Sequence, residues 1–203
     1  MPSDFKLAAL SLVLAALLWV LIFLVRPFDF WVMLASGTFI LLVVSVLISR
    51  KNLSLHPSVP LILYGILSAV MLYALFRFGY DFTKSNPVFS EGVGQVYGLK
   101  SSEPVWVISL LLIFPIGPGE ELYWRGLIQR SFARKTNANI GLLVASLAYA
   151  LVHLPTLNPP LILTALIGGL VWGGLYKSTN SLVPGIVSHV MWDLMIFTFL
   201  PLT

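Results

Sequence analysis

Not one of the 203 residues is cysteine, and charged side chains make up only 10% of the chain. The missing cysteines exclude disulfides, thiolate metal sites and thiol nucleophiles together. The shortage of charge excludes more. A soluble domain is nearer one-quarter charged, so this chain cannot cover a water-facing surface of ordinary size. Disorder, a collagen-like helix and a nucleic-acid-binding domain need polarity or repeats that are missing here. The net charge of +4 comes from twelve Lys and Arg spread over short polar breaks. That is the pattern of a positive-inside bias and points away from nucleic acid.

What the chain does have is apolar surface. Hydrophobic residues reach 58% and the mean hydropathy is +0.94, which together indicate a polytopic membrane protein. The length accommodates about seven to eight spans at about 20 residues each. The expected fold class is therefore all-α: one membrane helix bundle with almost no soluble domain.

The expected spans run Leu7 to Val25, Trp31 to Ser49 (flanked by Arg50 and Lys51) and Val59 to Phe78. The first is read as a retained span, because no small-residue cleavage site follows it. Trp19 and Trp31 are candidate interface anchors. Residues 79–103 hold Asp81, Lys84, Glu91, Lys100 and Glu103, and read as the one extramembrane loop. Pro104 to Arg134 reads as a single broken or kinked span interrupted by Pro115-Ile116-Gly117-Pro118-Gly119. Ile140 to Val152, Leu161 to Tyr176 and Leu182 to Leu200 complete the set. The expected division is residues 1–103 as N-terminal transmembrane helices with their loop, and residues 104–203 as a functional helical core. Counting Lys and Arg favours a cytoplasmic N-terminus: seven of them fall inside and four, Arg26, Arg77, Lys84 and Lys100, outside.

Charged groups within apolar spans are expensive, about 2.5–3.5 kcal/mol for a central Asp, Lys or Arg, and mark functional sites by default. Three clusters qualify: Glu120-Glu121-Leu122-Tyr123-Trp124-Arg125, Tyr149 to His153, and His189 to Asp193. Glu121 and Arg125 are four apart with the acid first, the favourable order for an ion pair on one helix face. Glu120 lies about 100° round the helix and is free to point elsewhere. Tyr149 with His153, and His189 with Asp193, repeat the four-residue offset on two more helices. Convergence on one pocket would satisfy all three faces. His56, beside Pro57, reads as incidental. Gly169 and Gly173 form a small-x-x-x-small packing face, while Trp124 and Trp192 stand close enough to the motifs to line a groove.

These three motifs in this order resemble the CPBP (CAAX protease and bacteriocin-processing, also ABI) family of intramembrane endopeptidases, the group of the type II CAAX prenyl proteases. The resemblance covers roughly Pro104 to Leu200. It implies a glutamate-dependent hydrolase in which Glu120 activates water with help from His153. His189 and Asp193 match the oxyanion positions, while Glu121 and Arg125 fix the helix and orient Glu120. Where Asn is the better-known residue, this chain has Asp193, read here as orienting His189. No cofactor is expected, although Glu120, His153 and His189 form a possible zinc set, two histidines and a carboxylate.

The expected activity is intramembrane cleavage of a peptide or a prenylated or otherwise membrane-bound protein, near the cytoplasmic leaflet of the plasma membrane. The competing reading is a bacteriocin self-immunity or scaffold protein that binds a partner through the same pocket. A proton-coupled carrier is a third, disfavoured by small size and the missing inverted repeat.

Overall fold

Every regular element of the computed structural model, which describes residues 2–49 and 54–202, is helical. Six helices have the length and hydropathy to cross a membrane: α1 (Asp4–Val25), α2 (Phe30–Ser49), α3 (Val59–Thr83), α5 (Val105–Lys135), α6 (Ala138–Thr156) and α7 (Pro159–Thr179). A shorter apolar helix, α8 (Val183–Phe199), follows. The expected membrane bundle is thus observed, with six full-length spans among the described residues where seven to eight were expected. Leu10, Leu17, Leu47, Leu67 and Phe78 are each at least 60% exposed. Water would penalise such a surface at about 25 cal/mol per Å², whereas lipid does not. Arg50 and Lys51, expected to flank α2, lie outside the described residues.

The segment 79–103 is not an irregular loop. Helix α3 continues to Thr83, and a separate helix, α4 (Pro87–Gly98), follows. Asn86 caps α4 by accepting from Val88 N at 3.0 Å, and Pro87 occupies the first turn, where its missing N–H costs nothing. Gly92 lets α4 dock on the start of α7: a Cβ there would stand 2.7 Å from Pro160 Cγ. The Asn158 side chain ties the two together, donating to Gly92 O at 2.9 Å while accepting from Leu161 N to cap α7.

The interrupted segment before Arg134 is one helix of 31 residues. It absorbs its prolines through π-helical turns at Leu112–Ile116 and Leu122–Gln129, with Gly117 N bonding to Leu112 O across the first. Pro115 cannot donate, and widening the helix by one residue re-pairs the backbone around it. The α-helical turn Gly117–Glu121 lies between the two wide segments and carries both glutamates.

Packing brings the elements together at two ends. At one, Phe5 meets Phe132 edge to face at 5.1 Å, Lys177 bonds Asn139, and Leu182 N donates to Ser54 O. At the other, Trp31 Nε1 donates to Leu99 O, Asn158 reaches Gly92, and Tyr97 Oη donates to Ile196 O. Helices α3 and α8 run parallel, with Gly65 against Pro184 and Val187 and Phe76 against Trp192. Trp19 and Trp31 are each 1% exposed. They are core residues of the bundle and not the interface anchors that position alone suggested.

Candidate active site

Glu120 and Glu121 are adjacent in sequence and serve different neighbours, as a 100° turn requires. Both are buried. Glu120 Oε2 accepts from the Tyr149 hydroxyl at 2.5 Å. The tyrosine hydroxyl, which needs a partner when buried, finds it on α5.

Glu121 turns toward α8. Its Oε1 accepts from Arg125 Nη1 at 2.8 Å and meets His189 Nδ1 at 2.9 Å. The pairing of Glu121 with Arg125 follows the expected i, i+4 geometry. The hydrogen-bonding partners of Glu121 are thus Arg125 and His189, not Glu120 itself. Gly185 makes room for this carboxylate, since a Cβ there would lie 2.7 Å from Glu121 Oε2.

Arg125 is 1% exposed. Its Nη2 donates to Gly169 O at 3.3 Å, and its guanidinium lies 5.3 Å from the ring centroids of both Tyr149 and Trp172. A flat, weakly hydrated cation between two aromatic faces tolerates burial far better than an ammonium would. The small residues of α7 permit this approach. A Cβ on Gly169 would stand 3.1 Å from Ser146 Cα, and one on Gly173 would lie 2.8 Å from Gln129 Oε1. The expected packing role of both glycines agrees with these distances.

His189 stacks flat on Trp172, ring centroids 3.7 Å apart at 13°. Its Nε2 lies 3.6 Å from Asp193 Oδ2, within ion-pair reach but beyond a hydrogen bond. The i, i+4 pair does share a face. The residue that fixes the His189 ring, however, is Glu121 together with the Trp172 surface; Asp193 contributes a looser contact on the far nitrogen.

His153 stands at the end of α6. Its Nδ1 lies 2.8 Å from Tyr149 O, and Trp19 Nε1 donates to its Nε2 at 3.0 Å. An indole N–H only donates, so Nε2 must supply the lone pair and Nδ1 the proton. The partners therefore assign a neutral tautomer. This is the strongest departure from expectation, because α1 carries no motif. A lone tryptophan near the end of an aliphatic run was the only available signal, and it also fits a membrane-interface residue.

A cavity of about 140 Å³ unites these groups: Glu120, Tyr149, His153, His189 and Asp193 all line it, with Trp172 and Trp192 beside them. Trp124, expected near a groove, is fully buried behind Tyr149 and Trp19 instead. His56 is exposed and apart from the cavity.

The zinc set of Glu120, His153 and His189 does not fit a metal as arranged. The one lone pair of His153 already accepts from Trp19, so of the two histidines only His189, held at Nδ1 by Glu121, keeps its other nitrogen clear of a hydrogen bond. Among the described residues no three His, Asp or Glu side chains are grouped to hold an ion.

The apolar helices and this buried acid–histidine cavity define an integral membrane protein with hydrolase-type groups at its centre. Residues 101–195 match the family model described as Type II CAAX prenyl endopeptidase Rce1-like, which spans a little under half of the chain. The match falls on the stretch that carries all three motifs and supports the resemblance they showed. No curated protein and no solved structure matches the chain.

Proposed function

We propose that this protein is a glutamate-type intramembrane endopeptidase of the plasma membrane. The observation that carries the reading is Glu120, a carboxylate held at one oxygen by Tyr149 on the wall of a largely apolar cavity that also contains His189. In this reading the second carboxylate oxygen takes a proton from water as the water oxygen attacks a peptide carbonyl. General-base help of this kind contributes roughly 10²–10⁴-fold. The Glu120 proton then passes to the departing amine as the C–N bond breaks, leaving a free carboxylate for the next cycle.

His189, donating through Nδ1 to Glu121 and carrying a second proton at Nε2, supplies a donor for the developing oxyanion. A preorganised donor in a dry site is worth about 3–4 kcal/mol by the effect of its removal. Asp193 balances that second proton. Arg125 neutralises Glu121, so that the two carboxylates on adjacent residues coexist. His153, with both nitrogens engaged, acts by fixing the Tyr149 end of α6 and the cavity wall; we assign it positioning more than direct proton transfer. The proposed chemistry uses these side chains and water without a metal.

The test is cleavage in native membranes. Comparing released peptides from wild type and Glu120→Gln, with accumulation of the protein checked, should show products that vanish in the variant. Identical peptide profiles would remove the protease reading and leave a partner-binding one.

A further inference from the structure

The cavity lies toward one end of the bundle, and that end is the one poor in positive charge. Its walls include Phe23, Phe30, Tyr97, Pro160, Phe197 and Leu202. These residues belong to the end of α1, the start of α2, α4, the start of α7, the end of α8 and the segment just after it. They gather at the end where Trp31 bonds Leu99 and Tyr97 bonds Ile196. The opposite end, where Phe5 meets Phe132 and Lys177 meets Asn139, contributes no lining residue.

Charge divides unequally between these ends. The cavity end carries Arg26, Arg77, Lys84 and Lys100, offset by Asp29, Asp81, Glu91 and Glu103. Asp81 in fact pairs with both Arg77 and Lys84, each at 3.0 Å. The opposite end carries Lys6, Arg130, Arg134, Lys135 and Lys177, with Asp4 the acid there, and Arg50 and Lys51 fall in sequence in the same connection. All these cations stand in short connections or close to helix ends, the range over which Lys and Arg set orientation. The charge-rich end is therefore the cytoplasmic one.

From these two observations we infer that the site opens to the non-cytoplasmic side of the membrane and takes an unprenylated peptide segment presented from that side. The inference rests on the protease reading for the nature of the reaction, and on the cavity and the charges for the side. It departs from the expectation of cleavage near the cytoplasmic leaflet. Both expectations cannot hold with a cytoplasmic N-terminus, because the N-terminal end of α1 and the cavity lie at opposite ends of the bundle.

Two chemical points select the substrate class. C-terminal prenylation is a modification of cytoplasmic proteins, so its products would meet the end that contributes no residue to the cavity. The cavity is also small: a space of about 150 Å³ holds a benzene-sized group, and the 140 Å³ here suits one bulky apolar side chain. Aromatic walls of Phe23, Phe30, Tyr97 and Phe197 fit a large aliphatic or aromatic residue beside the cleaved bond.

The absence of cysteine makes the test direct. Ser85, between α3 and α4, and Ser178, in the last turn of α7, are both exposed and at opposite ends. Ser85→Cys and Ser178→Cys are expressed separately as full chains in the native host, and intact cells are treated with a membrane-impermeant maleimide. The inference expects Ser85→Cys to react in intact cells and Ser178→Cys only after permeabilisation. The reverse pattern, or reaction of both in intact cells, overturns it. Should either variant fail to accumulate, an export-dependent phosphatase fused after Leu202 replaces it, with activity expected and inactivity contrary. Labelling reports orientation whether or not Glu120 is catalytic, so loss of the protease reading and loss of this inference are separately visible.

Discussion

Trp19 Nε1 donates to His153 Nε2 at 3.0 Å across 134 residues of sequence. The bond fixes which nitrogen of His153 bears the proton, and it brings a helix without any motif into contact with the site. The same tryptophan meets Trp124 edge to face at 6.3 Å, so one side chain braces both α5 and α6.

Replacing Trp19 by Phe keeps most of the packing and removes the donor. A buried acceptor left unpaired costs about 1–3 kcal/mol, and each 1.4 kcal/mol lost from the transition state is about tenfold in rate. Trp19→Phe should lower kcat roughly tenfold with a smaller change in KM. A pH profile of kcat should shift as well, because the freed His153 lone pair becomes able to take a proton. Unchanged kcat and pH profile would mean that the bond is only structural.

Gly185→Ala should disable the enzyme through Glu121. The added Cβ would stand 2.7 Å from Glu121 Oε2, and Glu121 cannot move without disturbing Arg125 and His189. Shortening the acid should relieve the clash, so Gly185→Ala with Glu121→Asp should cost less than the two single changes combined. Residues in contact couple by about 0.5–3 kcal/mol. Additive effects in thermal unfolding and activity would contradict the placement.

Asp193→Asn and Glu121→Gln should differ sharply. Asp193 lies 3.6 Å from His189, while Glu121 holds both His189 and Arg125 below 3.0 Å. Breaking a buried ion pair costs about 3–5 kcal/mol. Glu121→Gln should therefore lower thermal stability markedly as well as activity, whereas Asp193→Asn should keep a measurable fraction of activity and near-normal stability. The opposite ranking, read by melting in detergent and by cleavage rate, would show Asp193 to be the main partner of His189.

Chelation should leave cleavage unchanged. The lone pair of His153 is occupied by Trp19, so the three candidate ligands cannot all meet an ion. Activity lost in chelator and restored by zinc would require a rearranged site.

Much of this architecture is legible in the amino-acid order. The four-residue offsets of Glu121 with Arg125 and of His189 with Asp193 place each pair on one face, and the structure shows both contacts. Offsets along one helix say nothing of partners on another. Hence Tyr149 for Glu120, Glu121 for His189 and Trp19 for His153 were not readable. Helix α4 escaped for another reason. Its three glycines and few large apolar residues resemble a loop, and it is held by an Asn86 cap and by Asn158 from a distant segment. The prolines at 115 and 118 signal an interruption, but only backbone re-pairing shows it to be a π-helical widening within one span.

The central claim is that Glu120 performs the chemistry, and peptide release in native membranes tests it most directly. Wild type and Glu120→Gln, accumulated to equal amounts and equally resistant to unfolding, are compared by mass spectrometry of released and membrane-retained peptides. The account predicts a set of fragments present with wild type, lost with Glu120→Gln, and matched by an uncleaved precursor that accumulates. Fragments released to the same extent by both proteins would contradict it.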